Sequence, residues 1–204
     1  MTMQAVWRCG AFCLLLAASL PVAAKPVPYK LDQRYATIAF STTGLIATQG
    51  YFREFTGHLA LDFQHPQNSS VDVTLDDTAI TLSWPPGVQM LESPAYFDAS
   101  AHPHIRFRSL SITPGKPGHY IIMGALTIRG ITRPQLMDAT LLRAPASSDE
   151  AGTADFYVTG KLKRSAFGMV ADQGAVGNIV RLRIHARVML ARQNRPGGVP
   201  PHGQ

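Results

Sequence analysis

Few residues in this chain carry types and spacings that could do chemistry. His102-Pro103-His104 sets two imidazoles two residues apart, on one face if the segment is extended. A zinc centre needs three or four protein ligands, and no second cluster accompanies this pair, so no metal site is expected. Asp76 and Asp77 are adjacent carboxylates, which a strand would point to opposite faces, so they make no acid/base pair. Ser165 has no local base, no Gly-x-Ser-x-Gly elbow is present, and no glycine-rich phosphate loop precedes a helix. Catalysis is therefore not expected. Arg164, three residues before Phe167-Gly168-Met169, could hold an anionic or polar head group through its planar fork of donors. A solvated strand-end charge is an equally open reading of it. Arg129 and Arg133 read as surface charges. Arg181, Arg183, His185 and Arg187 form a basic strip that could rest on anionic lipid or an acidic partner, or simply be a wet outer face.

The elements that must position these residues are almost all strands. Gly124 to Pro134 is the centre of a hairpin: Leu126 and Ile128 alternate with Thr127 and Arg129, Arg129-Gly130 offers a turn, and Pro134 suits an edge or strand start. Alternation predicts further strands at Tyr29–Ser41, Gly50–Phe63, Ser70–Leu82, His104–Ile112, His119–Arg129, Arg133–Arg143, Thr153–Lys163 and Val180–Leu190. In the last, Val180, Leu182, Ile184, Ala186, Val188 and Leu190 face one way, opposite the basic strip. Val88–Phe97 does not alternate and predicts a short helical insertion after Trp84-Pro85-Pro86-Gly87. About eight long strands on short turns, with no βαβ alternation, predict an all-β fold. Strands this long and tightly connected favour an eight-stranded antiparallel up-and-down barrel, of the lipocalin-like kind that can hold one small ligand, over a two-sheet sandwich.

Composition bounds the rest. The chain has 204 residues and a formal net charge of +6, spread along strands and tail rather than massed in a block. Ala11 to Leu20 is an apolar run of about ten residues followed by Val22-Ala23-Ala24, which predicts a cleaved signal peptide over residues 1–24 and export to the periplasm. Cys9 and Cys13 both fall inside it, so the mature chain would hold no disulfide, thiol nucleophile or thiolate metal site. An exported chain makes nucleic acid an unsuitable partner for the positive charge. Residues 192–204, rich in Pro and Gly, predict a disordered tail, leaving a single domain over 25–191.

Several stretches in order resemble the YceI family of polyisoprenoid-binding, lipocalin-like periplasmic proteins. They are Tyr29-Lys-Leu-Asp32, Gly50-Tyr-Phe-Arg-Glu-Phe-Thr-Gly57, Leu61-Asp-Phe63 with Pro66, Leu91-Glu-Ser-Pro-Ala-Tyr-Phe-Asp98, Pro103-His-Ile-Arg-Phe107, the Leu126–Pro134 hairpin, and Arg164-Ser-Ala-Phe-Gly-Met169. The resemblance implies a barrel whose elongated apolar lumen holds an isoprenoid or quinone-like lipid, with no cofactor and no catalysis. It further implies a cytochrome b561-type membrane protein as a partner. One motif departs: the family's Asp-x-x-His-Ser in the first strand reads Asp32-Gln-Arg-Tyr35-Ala36 here, and the loop Thr42 to Gln49 has no His. Head-group chemistry would differ accordingly.

Candidate lumen residues are Phe40, Phe52, Phe55, Phe97, Phe107, Ile122, Leu126, Phe156, Phe167 and Ile184, with Arg164 for the head group. An eight-stranded barrel can also be just wide enough for side chains to fill, so plain core packing remains open for the same residues. The expected function is a periplasmic carrier of a long apolar lipid. The competing expectation is a filled barrel acting as a non-catalytic interaction module for a membrane redox or stress-response system. A monomer and a homodimer are both compatible with the sequence.

Overall fold

A computed structural model describes residues 25–146 and 152–191. The expected signal peptide with its two cysteines and the expected tail lie outside the described residues. Eleven antiparallel strands are present: β1 Val27–Leu31, β2 Thr37–Gly44, β3 Gln49–Phe52, β4 Phe55–Leu61, β5 Ser70–Asp76, β6 Ile80–Leu82, β7 His104–Pro114, β8 His119–Ile128, β9 Ile131–Arg143, β10 Ala154–Lys163 and β11 Val176–Leu190. One short helix, α1 Gly87–Glu92, falls inside the segment predicted not to alternate. The strand order β1-β4-β5-β7-β8-β9-β10-β11 returns to β1 through a β1–β11 pairing, so eight strands close into a barrel.

Eleven strands arise from eight predicted ones because each of the first three is interrupted. Tyr29–Ser41 breaks at Asp32, whose carbonyl accepts from the N–H groups of Tyr35 and Ala36 while its carboxylate accepts from the Arg34 N–H. This local turn competes with the ladder, as short acidic side chains tend to do. Gly50–Phe63 breaks at Arg53-Glu54, and Ser70–Leu82 breaks at 77–79, where backbone bonds Arg53 to Ala79 and Asp76 to Glu54 bind the two interruptions together. The breaks therefore lie side by side and bend that part of the wall. Beyond them β2, β3 and β6 continue from β11 as a flap of sheet. β6 pairs with β3 but not with β7, and the segment 83–103, carrying α1, spans the opening between them.

The hairpin centre has a two-residue turn, with Arg129 at φ +53° and Gly130 at φ +71°. Two successive positive φ values are the signature of a type I′ turn, whose twist matches that of the flanking strands. Glycine takes this conformation freely; arginine does so at a cost of order 1 kcal/mol. The cost is offset because Arg129 Nη1 donates to the Gly168 carbonyl at 2.8 Å and Nη2 to the Pro94 carbonyl at 2.9 Å. The expectation of a free surface charge at Arg129 is thus corrected: it clamps the β8–β9 turn to the 83–103 segment and to the β10–β11 connection. Pro134 is opposite Ala125 of β8, and β9 pairs with β10 only from Met137 onward, so the missing N–H falls outside the doubly paired stretch. There the buried Gln135 side chain bridges the separated strands by donating to the Lys161 carbonyl.

Candidate functional site

Inward-facing side chains of the alternating strands do not meet at the barrel axis. A cavity of about 240 Å³ runs through the interior, lined by residues of every strand from β1 to β11. More than forty residues enclose this modest volume, so the space is long and narrow rather than round. Its volume exceeds the ~150 Å³ that suffices to bind benzene in an apolar protein interior. The walls are overwhelmingly apolar: Val71, Val73 and Leu75 from β5, Ile122 and Leu126 from β8, Phe156 and Val158 from β10, and Val180, Leu182 and Ile184 from β11. Regular period-two alternation in the sequence is what delivers one such column per strand.

Eight of the ten candidates chosen from sequence line this cavity: Phe40, Phe52, Phe97, Phe107, Ile122, Leu126, Phe156 and Ile184. Phe55 and Phe167 do not. Both are buried in the main hydrophobic cluster, where they pack the wall instead of facing the void. Phe167 ends the 3-10 turn Arg164–Phe167, outside any strand register. Phe55 keeps the inward parity of Leu59 and Leu61 at the first residue of β4, opposite Leu75, and is taken up there by the packed cluster. Aromatic rings flank both ends of the space. Phe40 and Phe52 lie 5.4 Å apart between centroids at one end, and Phe63 stacks on Phe156 at 6.4 Å toward the other.

Polar lining is concentrated at the end bordered by the β2–β3 hairpin and the 83–103 segment. Thr42, Thr48, Tyr96, Gln135 and Arg164 reach the cavity there. Arg164 is 3% exposed, and its Nε, Nη1 and Nη2 donate to the carbonyls of Gly177 (3.4 Å), Met169 (2.9 Å) and Val176 (3.1 Å). Its guanidinium carbon also lies 5.8 Å from the Tyr96 ring centre. The solvated strand-end alternative for Arg164 is therefore overturned: this charge is buried and holds the 164–177 connection in shape. Three of its five N–H groups are so engaged. Tyr96 donates its hydroxyl to Asp172 at 2.6 Å, and burial, reinforced by that bond, pushes the phenol up to about 12, keeping it neutral. Thr42 Oγ1 is buried without a hydrogen-bond partner. At the opposite end Asp62 also reaches the cavity wall, but its carboxylate is occupied by the N–H groups of Gln64 and His65.

The remaining chemistry-bearing residues are dispersed. His102 rests under the Gly130 turn, whereas His104 pairs across to Asp76 on β5. Among the described residues no group of three or more His, Cys, Asp or Glu side chains could hold a metal ion. The basic strip is on the outer face of β11, but its fourth member is not free. Arg187 forms a two-pronged pair with Asp155 at 2.6 and 3.0 Å and lies 4.8 Å over the Tyr35 ring. Asp77 was missed as a special group. It is fully buried, both its carboxylate oxygens lack partners, and burial raises it to about 6. The signal was present, since continuing the Val71, Val73, Leu75 alternation places residue 77 on the inward face.

The chain is similar to known proteins in sequence and in fold. A UPF0312 protein, plu2095, of Photorhabdus laumondii is 31% identical over 166 residues, covering 79% of this chain and 84% of that one. The crystal structure of Burkholderia cenocepacia BcnA superposes with a TM-score of 0.69 at 24% identity, over 78% of this chain and 98% of that one. A polyisoprenoid binding domain from Saccharophagus degradans superposes with a TM-score of 0.60 at 8% identity, over 80% of this chain and 99% of that one. The family model described as the YceI-like domain matches residues 29–188, from β1 to near the end of β11, and the chain belongs to that family.

Proposed function

We propose that this protein is an exported binding protein that carries a long apolar lipid, of the isoprenoid or quinone-like class, in its barrel lumen, and that it catalyses no reaction. The observation that carries this reading is the continuous, narrow, apolar cavity contributed to by every strand. A well-filled core would have closed it, because interiors ordinarily pack to crystal-like density. A chain threaded along it gains about 0.8 kcal/mol per methylene buried, so about ten such groups would supply roughly 8 kcal/mol, the scale of micromolar affinity before ordering costs. The polar cluster of Thr42, Tyr96 and Arg164 would seat the head group, with the Thr42 hydroxyl and the remaining Arg164 N–H groups as donors. Similarity to a polyisoprenoid binding domain supports the ligand class. The sequence of residues 1–24 supports a periplasmic location.

Native mass spectrometry of the protein purified without detergent, followed by denaturing analysis of released lipid, tests the proposal. A stoichiometric adduct of several hundred daltons that extracts into organic solvent is expected. A bare polypeptide mass that persists after incubation with prenyl lipids and quinones would refute carriage and leave the barrel as an interaction module for a membrane partner.

A further inference from the structure

The barrel end that holds the polar cluster also exposes apolar side chains that the fold does not need. Leu45 is 89% exposed and Ile46 47% exposed at the tip of the β2–β3 hairpin, while Trp84 is 54% exposed and Val170 56% exposed on neighbouring connections. These loops form one rim. The Ile46 N–H donates to the Ala175 carbonyl, joining the hairpin tip to the β10–β11 connection that carries Val170. The Ser83 N–H donates to the Gln49 carbonyl, setting Trp84 beside the other foot of the hairpin. Of all residues lining the lumen, Trp84 is the one that is also more than half exposed at the surface. The rim is thus continuous with the cavity wall.

Charge patterning narrows what could cover this rim. No residue from Ser41 to Gly50 carries a charge, although the chain as a whole is basic. The charge beside Val170, Asp172, is an acid that accepts from Tyr96. At the hairpin tip a protein partner chosen by electrostatics, or an anionic headgroup layer approached through lysines and arginines, would find nothing to pair with. The interfacial zone of a bilayer would: aliphatic tips can enter the acyl boundary while an indole keeps its N–H at headgroup level. Single exposed leucines are ordinary, but four large apolar residues around the mouth of an apolar channel are a patch that marks an interaction site.

We propose that the rim formed by Leu45, Ile46, Trp84 and Val170 docks on a phospholipid bilayer surface, placing the lumen mouth against the membrane so that a lipid passes between the two without crossing water. This rests on the carrier reading above. Because the hairpin tip is uncharged, docking draws on apolar insertion, which salt does not screen. It is thereby distinct from any attraction of anionic lipid to Arg181 and Arg183 on the barrel's outer wall.

The test is flotation of the protein with vesicles of pure phosphatidylcholine at low and high salt, read alongside Trp84 fluorescence. Trp84 is the one tryptophan outside the expected signal peptide, so a Trp84→Phe variant of the mature protein supplies the tyrosine and scatter background. Expected results are partition that survives high salt, a blue shift of Trp84 emission, and quenching by lipids brominated near the headgroup. Leu45→Ser combined with Ile46→Ser should lower the partition coefficient by about tenfold or more. Both sites are exposed and neither lines the lumen, so this variant keeps its fold and its lipid retention by native mass spectrometry. Absence of flotation by the parent, flotation unaffected by the double substitution, or loss of a dimer on making it overturns the proposal. A parent that floats and blue-shifts yet never retains lipid supports the docking face while removing the carrier reading, so the two fail separately.

Discussion

Asp77→Asn should make this protein more stable, and only above a definite pH. Asp77 lies between β5 and β6 with no exposed surface and no partner for either carboxylate oxygen. Burial raises it to about 6; Asp76 and Glu92 add to the rise, while His104 and the residue's own backbone N–H oppose it. In an unfolded chain an aspartate titrates near 3.9. An acid whose folded value is raised binds its proton more tightly when folded, so its stability is complete below about pH 4. That stability declines as pH climbs through about 6 and levels off above. A gap of about two pH units corresponds to roughly 2–3 kcal/mol. Asparagine keeps the shape, stays neutral throughout, and avoids this penalty. Urea unfolding of both proteins from pH 3.5 to 8 is the assay. The variant should match the parent at the acid end and exceed it by roughly 2–3 kcal/mol at pH 8, a midpoint gain of about 1 M for typical slopes. Equal stability at pH 8, or an advantage that does not change with pH, would refute the reasoning. Either would mean that the carboxylate finds water or a partner that relieves its burial.

Other outcomes follow from the same geometry. Arg164→Ala should cost roughly 3–5 kcal/mol in chemical denaturation, because up to three buried carbonyls lose their donor. Val158→Trp places a large ring in the lumen; native mass spectrometry should show the lipid adduct depleted, at a stability cost of roughly 1–3 kcal/mol if the cavity accepts the ring incompletely. Arg129→Asn should be milder than Arg129→Ala by thermal unfolding, since asparagine tolerates the positive φ that alanine resists while both lose the clamp. Acid unfolding should set in below about pH 4. Asp32 is held low by the Arg34 side-chain bond, Asp62 by the His65 N–H, Asp72 by Arg106 and Asp155 by Arg187, and each contributes stability present above the unfolded value and lost as pH falls. An acid limb that Asp155→Asn and Asp72→Asn leave unmoved would count against those pairings.

Local sequence determined much of this molecule. Alternation named the strands β7 to β10 nearly to their ends and β11 from its fifth residue onward, assigned Val180, Leu182, Ile184, Ala186 and Val188 to the interior, and put Arg181, Arg183 and His185 outside. It could do so because a strand's period of two is set by the backbone, and a wall with one wet face repeats that period in its side chains. The Arg129-Gly130 turn was legible for a similar reason, since its two positive φ values are local. Three matters were settled only by tertiary structure. The long first strands break where neighbouring interruptions brace one another, and that bracing lies in cross-strand bonds between residues some twenty-five positions apart. Arg164 turned from an ambiguous charge into a buried tie because carbonyls from residues 169 to 177 fold back over it. The lumen stayed open for a reason no single strand records. Whether inward columns touch depends on barrel radius, set by how many strands close the ring and at what stagger, taken together with the size of all the side chains pointing in.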